Sequence, residues 1–143
     1  MALFSVAINE SINEMTTDKE SPDFLFVDIT REIIGAAFAV YKEFGYGFLE
    51  KVYENALLIE LADRNLKAES QKPVDVAYKG RVVGKYLADI VVEDKVLVEL
   101  KAEKAYNPKH EAQLIHYLKA TNLKVGLLIN FGESTCKPKR IIY

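Results

Sequence analysis

The chain has 143 residues, half of them hydrophobic and 28% charged, which fits one globular domain with a core of its own. Its net charge of −2 advertises no nucleic-acid surface, no apolar run approaches the roughly 20 residues of a spanning helix, and the N-terminus lacks a signal peptide's basic start and apolar stretch. The single cysteine, Cys136, cannot close an internal disulfide, and no Cys/His cluster has metal spacing, so a cytoplasmic protein with an incidental thiol and no membrane partner is expected.

Charge is nevertheless uneven. Residues 1–78 carry 7 Lys/Arg against 14 Asp/Glu, and residues 79–143 carry 12 against 7, which is compatible with a basic face on the second part. Residues 1–22 show no sustained period and read as a loosely ordered arm with a short helical turn around 5–14; residues 23–143 form the domain.

From Phe24 the pattern turns helical, with Ile29, Ile33, Ala37, Val40 and Tyr41 on one face. Gly45 and Gly47 end that helix. A second helix is expected over roughly 48–64, with Leu49, Val52, Tyr53, Ala56, Leu57, Glu60 and Leu61 as its buried stripe. Strand signals begin near Lys67. Val74, Val76 and Tyr78 alternate with polar residues, Lys79-Gly80-Arg81 marks a turn, and "VVGKYLADIVV" and "KVLVELKA" follow as two more strands of an antiparallel meander. Asn107 and Pro108 suit the start of a helix that buries Leu114, Ile115 and Leu118. "KVGLLINFG" is apolar without alternation and reads as a strand buried on both faces. The link from the third strand through this helix has the length of a parallel crossover. "KRIIY" offers an edge strand. The order ααβββαβ makes an α/β sandwich around a mixed sheet.

Three charges interrupt the two apolar runs that flank the polar break of "LADIVVEDKVLVELKA" (87–102): Asp89, Glu99 and Lys101. Glu99 and Lys101 are two apart and share a strand face. A two-residue turn at Asp94-Lys95 would put Asp89 opposite Leu100, away from Glu99. A three-residue loop over 93–95 pairs Val92 with Val96 and sets Asp89 opposite Glu99. The second register is favoured because it alone places the rows Ala88/Ile90/Val92 and Val96/Val98/Leu100 on one apolar face. Opposed carboxylates repel unless a cation intervenes. Such an oxygen-rich pair suits Mg²⁺ or Mn²⁺, and a lysine beside it suits the charge that develops on a phosphate. The bland alternative is an exposed strand face on which Lys101 neutralises Glu99.

Read whole, the sequence resembles the GxxExxY protein family. "GFLEKVYENAL" (47–57) carries that motif, and the likeness continues through "YKGRVVGKYLADIVVEDKVLVELKA", "HEAQLIHYLKATNLKVGLLINFG" and "KRII", over about residues 26–142. The family looks like a branch of the PD-(D/E)XK nucleases. The resemblance implies a restriction-endonuclease-like fold and metal-dependent phosphodiester hydrolysis, with DNA as the expected substrate. It implies a catalytic set of Asp89, Glu99, Lys101 and Gln113. It implies metal ligands Glu50, Asp89 and Glu99 with the Leu100 carbonyl, and substrate contact at Tyr117. Ala88 stands where the superfamily's name has proline, and Tyr46 where a proline would be expected in the G-x-G turn. Tyr53 is expected in the core, Glu54 as a solvated neighbour of Glu50, with either of the two acids able to face the site, and His110 and His116 outside the chemistry. Gln71 and Lys72 begin a strand at the cleft without an assigned role. A homodimer or larger complex would supply grip that the net charge does not. The rival readings are an inactive binding module of the same fold and a structural protein in which these charges form a salt bridge.

Overall fold

A computed structural model describes residues 24–143; the arm expected over residues 1–22 lies outside them. Helix α1 spans Val27–Phe44 and buries Thr30, Ile33, Ala36, Ala37 and Val40, the three-and-four spacing expected of one face. It stops at Gly45, whose φ of 61° suits glycine and whose N–H donates to the Tyr41 carbonyl at 2.7 Å. Helix α2 spans Glu50–Asp63 and buries Tyr53, Glu54, Leu57 and Leu61. The expected stripe was rotated. Leu49 is 80% exposed at the helix start, whereas Glu54 is only 3% exposed.

Five strands follow in one sheet whose spatial order is the chain order: β1 (Ala68–Tyr78), β2 (Arg81–Val92), β3 (Val96–Lys101), β4 (Val125–Asn130) and β5 (Lys137–Ile142). β3 and β4 are parallel and every other pair is antiparallel. Helix α3 (Pro108–Thr121) makes the crossover, with the Asn107 side chain accepting from the Lys109 N–H at its start. β5 is the edge strand offered by "KRIIY", so the full order is ααβββαββ. β4 is buried along its whole length.

Helices α1 and α2 cover one sheet face, packing on Ile90, Val92, Val96, Val98, Leu100, Leu127 and Ile129. Helix α3 covers the other, with Leu114 and Leu118 on Val74, Val91, Leu97 and Leu128. Ala88 departs from expectation: it joins this second cluster rather than Ile90 and Val92. The alternation of β2 therefore slips between Ala88 and Ile90, around Asp89. Opposite that point in β1 lies Gln71, between the Ser70–Ile90 and Lys72–Ala88 pairs, with a φ of 52°. A left-handed residue in mid-strand re-aims the side chains around it.

The β2–β3 turn is the three-residue loop. Val92 pairs with Val96, the Lys95 N–H donates to the Val92 carbonyl at 3.0 Å, and Glu93 and Asp94 have φ of 54° and 55°. No helix among the described residues is long and apolar enough to cross a membrane.

Candidate active site

The β2–β3 ladder closes at Ile90–Val98, and one step further the register brings Asp89 level with Glu99. There the side chains take over from the backbone. The Asp89 N–H donates to Glu99 Oε1 at 3.3 Å, and the Leu100 N–H donates to Asp89 Oδ2 at 2.8 Å. Each carboxylate thus holds a backbone donor of the opposite strand, which fixes both at the point where the strands part. Lys101, the next residue on the Glu99 face, is half-buried. Its backbone carbonyl accepts from the Phe131 N–H, on the β4 side. The N–H and C=O of one strand residue point to the same flank, so Leu100, whose N–H reaches Asp89, turns its carbonyl towards β2 as well.

Glu99 is 8% exposed. Burial, then the Asp89 charge, push its carboxyl up to about 8, against the Asp89 N–H and the Lys101 charge. Asp89 is also raised, chiefly by burial and by Glu54, with the Leu100 N–H and Lys101 opposing. Glu50 lies at the first turn of α2. Burial and Asp89 raise it, and Lys101 lowers it. Four acidic side chains and one lysine therefore act on one another here.

Glu54, read from the sequence as a solvated neighbour of Glu50 or else as an acid facing the site, is buried and belongs to this group. It accepts from Gln71 Nε2 and Lys51 Nζ, each at 2.6 Å. Gln71, which had no assigned role, so ties β1 to α2 beside Asp89. Tyr53 is in the core as expected, stacked on Phe131 with centroids 4.5 Å apart. Its hydroxyl donates to the Gly45 carbonyl at 2.6 Å and accepts from the Phe48 N–H at 3.3 Å. The tyrosine of the G-x-x-E-x-x-Y motif thereby pins the turn from which Glu50 emerges.

On the α3 side, Tyr117 is half-buried and stacks on Tyr86, with centroids 3.4 Å apart and rings 13° from parallel. Both phenols are raised by burial first, and Glu99 and Asp89 add to the shift. Tyr86 was missed in the sequence because nothing local links it to Tyr117. Its buried hydroxyl has no partner among the described residues. Gln113 is exposed on α3 and lies beside the Tyr117 hydroxyl. His110 sits 2.8 Å from Glu103, His116 is exposed, and the Cys136 thiol is raised to about 11 by burial; none of the three joins the cluster. A cavity of about 320 Å³ adjoins Lys101, between the start of α3, the end of β4 and the start of β5.

Among the described residues, no group of three or more Asp, Glu, His or Cys side chains is placed to hold a metal ion. The donor set at Asp89 and Glu99 nevertheless fits a hard divalent cation. Two carboxylates whose burial and mutual repulsion oppose ionisation are relieved by one, and Mg²⁺ commonly takes one or two carboxylates and keeps several waters.

No curated protein and no solved structure matches the chain. A family model described as the PD-(D/E)XK nuclease superfamily matches residues 27–141, from the start of α1 into β5. The matched segment spans all eight described elements, and the chain belongs to the PD-(D/E)XK nuclease superfamily.

Proposed function

We propose that this chain is a Mg²⁺- or Mn²⁺-dependent nuclease of the GxxExxY branch, hydrolysing phosphodiester bonds in DNA. The observation that carries the reading is the reciprocal lock of Asp89 and Glu99 on each other's strand, with Lys101 one step beyond. Residues 23–143 are the nuclease domain.

Asp89 and Glu99, with the Leu100 carbonyl and Glu50, would hold the metal, which when bound polarises the scissile phosphate and lowers the pKa of a bound water. The chain's own residues do the remaining work. Lys101 orients the attacking water and places a positive charge where the phosphate gains negative charge. Glu54, held by Gln71 and Lys51, keeps the Asp89 environment acidic and favours a cation there. Tyr117, backed by Tyr86, forms a flat wall for the substrate, and Gln113 at its hydroxyl is placed to hydrogen-bond it.

The test is a cleavage assay with Mg²⁺ and with Mn²⁺ on single-stranded, duplex and branched DNA and on RNA. Cleavage of DNA that EDTA abolishes supports the reading. Binding without cleavage in either metal would leave the chain as a binding module of the same fold.

A further inference from the structure

The sheet carries the candidate site on towards its β5 edge. Parallel pairing sets Glu99 beside Leu128 and Lys101 beside Asn130, and the β4–β5 register adds Lys139 and Lys137 to the same two rows. Leu97, Leu128 and Ile141 pack under α3, so alternation puts both rows on the face that α3 covers. Adjacent strands lie about 5 Å apart, which places Lys139 two steps, roughly 10 Å, from Glu99. Where α3 begins, the cover is incomplete, and the cavity of about 320 Å³ opens beside Lys101. Leu128 lines it from the sheet, and Ala105, Tyr106 and His110 from the chain that leads into α3.

The frame of this cavity is held by its own contacts. Asn130 is 7% exposed and uses its whole amide. Its Oδ1 accepts from the Glu103 and Gly132 N–H groups, each at 3.0 Å, and its Nδ2 donates to the Glu103 carbonyl at 2.9 Å and to the Glu133 carboxylate at 3.1 Å. Tyr106 donates its hydroxyl to Glu111, and Lys139 sits over its ring, 5.5 Å from the centroid. The site is therefore formed before a ligand arrives, as small-molecule pockets usually are.

Its charges are also matched in place. Lys137 pairs with Glu133 at 3.2 Å, Lys139 with Glu111 at 2.7 Å, and His110 lies 2.8 Å from Glu103. A phosphate gains little from cations already paired. A flat, neutral ring with polar edges gains more: Leu128, Ala105 and Tyr106 offer it apolar surface, and Asn107 and His110 offer polar groups. Lys101 borders both this cavity and the carboxylates of the candidate site, so a phosphate held there has the cavity next to it. The volume lies at the small end for such pockets and suits one base rather than a pair.

We propose that the cavity receives one unpaired base of the substrate, from the nucleotide next to the phosphate held at Asp89, Glu99 and Lys101; the inference rests on the nuclease reading. A base in the cavity has left its stack and its partner. Single-stranded DNA offers such a base freely, whereas a duplex must first extrude it, so the chain selects unpaired DNA.

The test is calorimetry of the full chain in Ca²⁺, which reads binding without turnover. Deoxyadenosine 5′-monophosphate is compared with deoxyribose 5-phosphate, which lacks the base. The nucleotide should bind about tenfold or more tighter. Ala105→Trp fills the cavity from an exposed position and should remove that advantage, and Tyr106→Ala, which takes away a wall instead, should reduce it. Ala62→Trp makes the same change at an exposed position of α2 away from the cavity and should keep it. By fluorescence anisotropy, Ala105→Trp should weaken binding of labelled single-stranded DNA about tenfold, with Ala62→Trp within about twofold of wild type. Equal affinity of wild type for the two small probes, binding of neither, or an Ala105→Trp protein that keeps the wild-type advantage overturns the proposal. Mg²⁺-dependent cleavage relative to Lys101→Ala, read in parallel, judges the nuclease reading separately.

Discussion

Replacing Glu99 with glutamine should stabilise the metal-free protein, and the gain should depend on pH. In the folded chain the Glu99 carboxyl holds its proton up to about pH 8, whereas the ordinary value is 4.5. The folded state therefore binds more protons between those limits. The stability contributed by the neutral carboxyl is fully present below about pH 4.5 and is lost as pH rises through about 8. Ionising Glu99 in place costs up to about 5 kcal/mol relative to the unfolded chain. Glu99→Gln removes that cost and keeps an oxygen to accept the Asp89 N–H, but buries an amide NH₂ that needs a partner, at about 1–3 kcal/mol. The net expectation is a gain of about 2–4 kcal/mol at pH 8.5 in EDTA, or a rise in Tm of roughly 5–15 °C. Near pH 4 the wild type carries its own proton, and the gain should vanish or reverse. Thermal melts of both proteins across this range decide the matter. A variant less stable than wild type at pH 8.5, or a difference that ignores pH, would refute the reasoning.

Three further outcomes follow from the same geometry. In wild type, Mg²⁺ at about 100 times its Kd should add about 2.7 kcal/mol at pH 8, and Asp89→Asn/Glu99→Gln should lose that response, read as the shift in Tm on adding metal. Tyr53→Phe frees the Gly45 carbonyl and the Phe48 N–H, so chemical denaturation should show a loss of about 1–3 kcal/mol. Gly132→Ala would set a Cβ 2.3 Å from the Glu103 backbone nitrogen, so the same melts should show a loss of about 3 kcal/mol or more, well above that of an ordinary surface change.

The residues at the centre of the site were legible because a strand allows few choices. Two apolar rows had to face one way, and that requirement selected the three-residue loop and set Asp89 against Glu99. Glu50 and Tyr53 were legible through their motif. Glu54 was left open between solvent and the site because Leu49 seemed to belong to the buried stripe, whereas it lies before the first turn of α2; the spacing of Glu54, Leu57 and Leu61 carried the signal. The slip of β2 at Asp89 left no mark, because the left-handed residue opposite it is a glutamine and no glycine or asparagine flags the position. Tyr86 became part of the site only through Tyr117, which a crossover helix brings from far along the chain. Contacts of that range have no local pattern.

The central claim is that Asp89, Glu99 and Lys101 work as one metal-dependent hydrolytic centre. The most direct measurement is the Mg²⁺-dependent DNA cleavage rate of wild type beside Lys101→Ala, with DNA binding in Ca²⁺ as the control for folding. The account predicts a loss of about 10²- to 10³-fold in rate with binding retained. Equal rates for the two proteins, or no cleavage by wild type of any DNA in either Mg²⁺ or Mn²⁺, would contradict it.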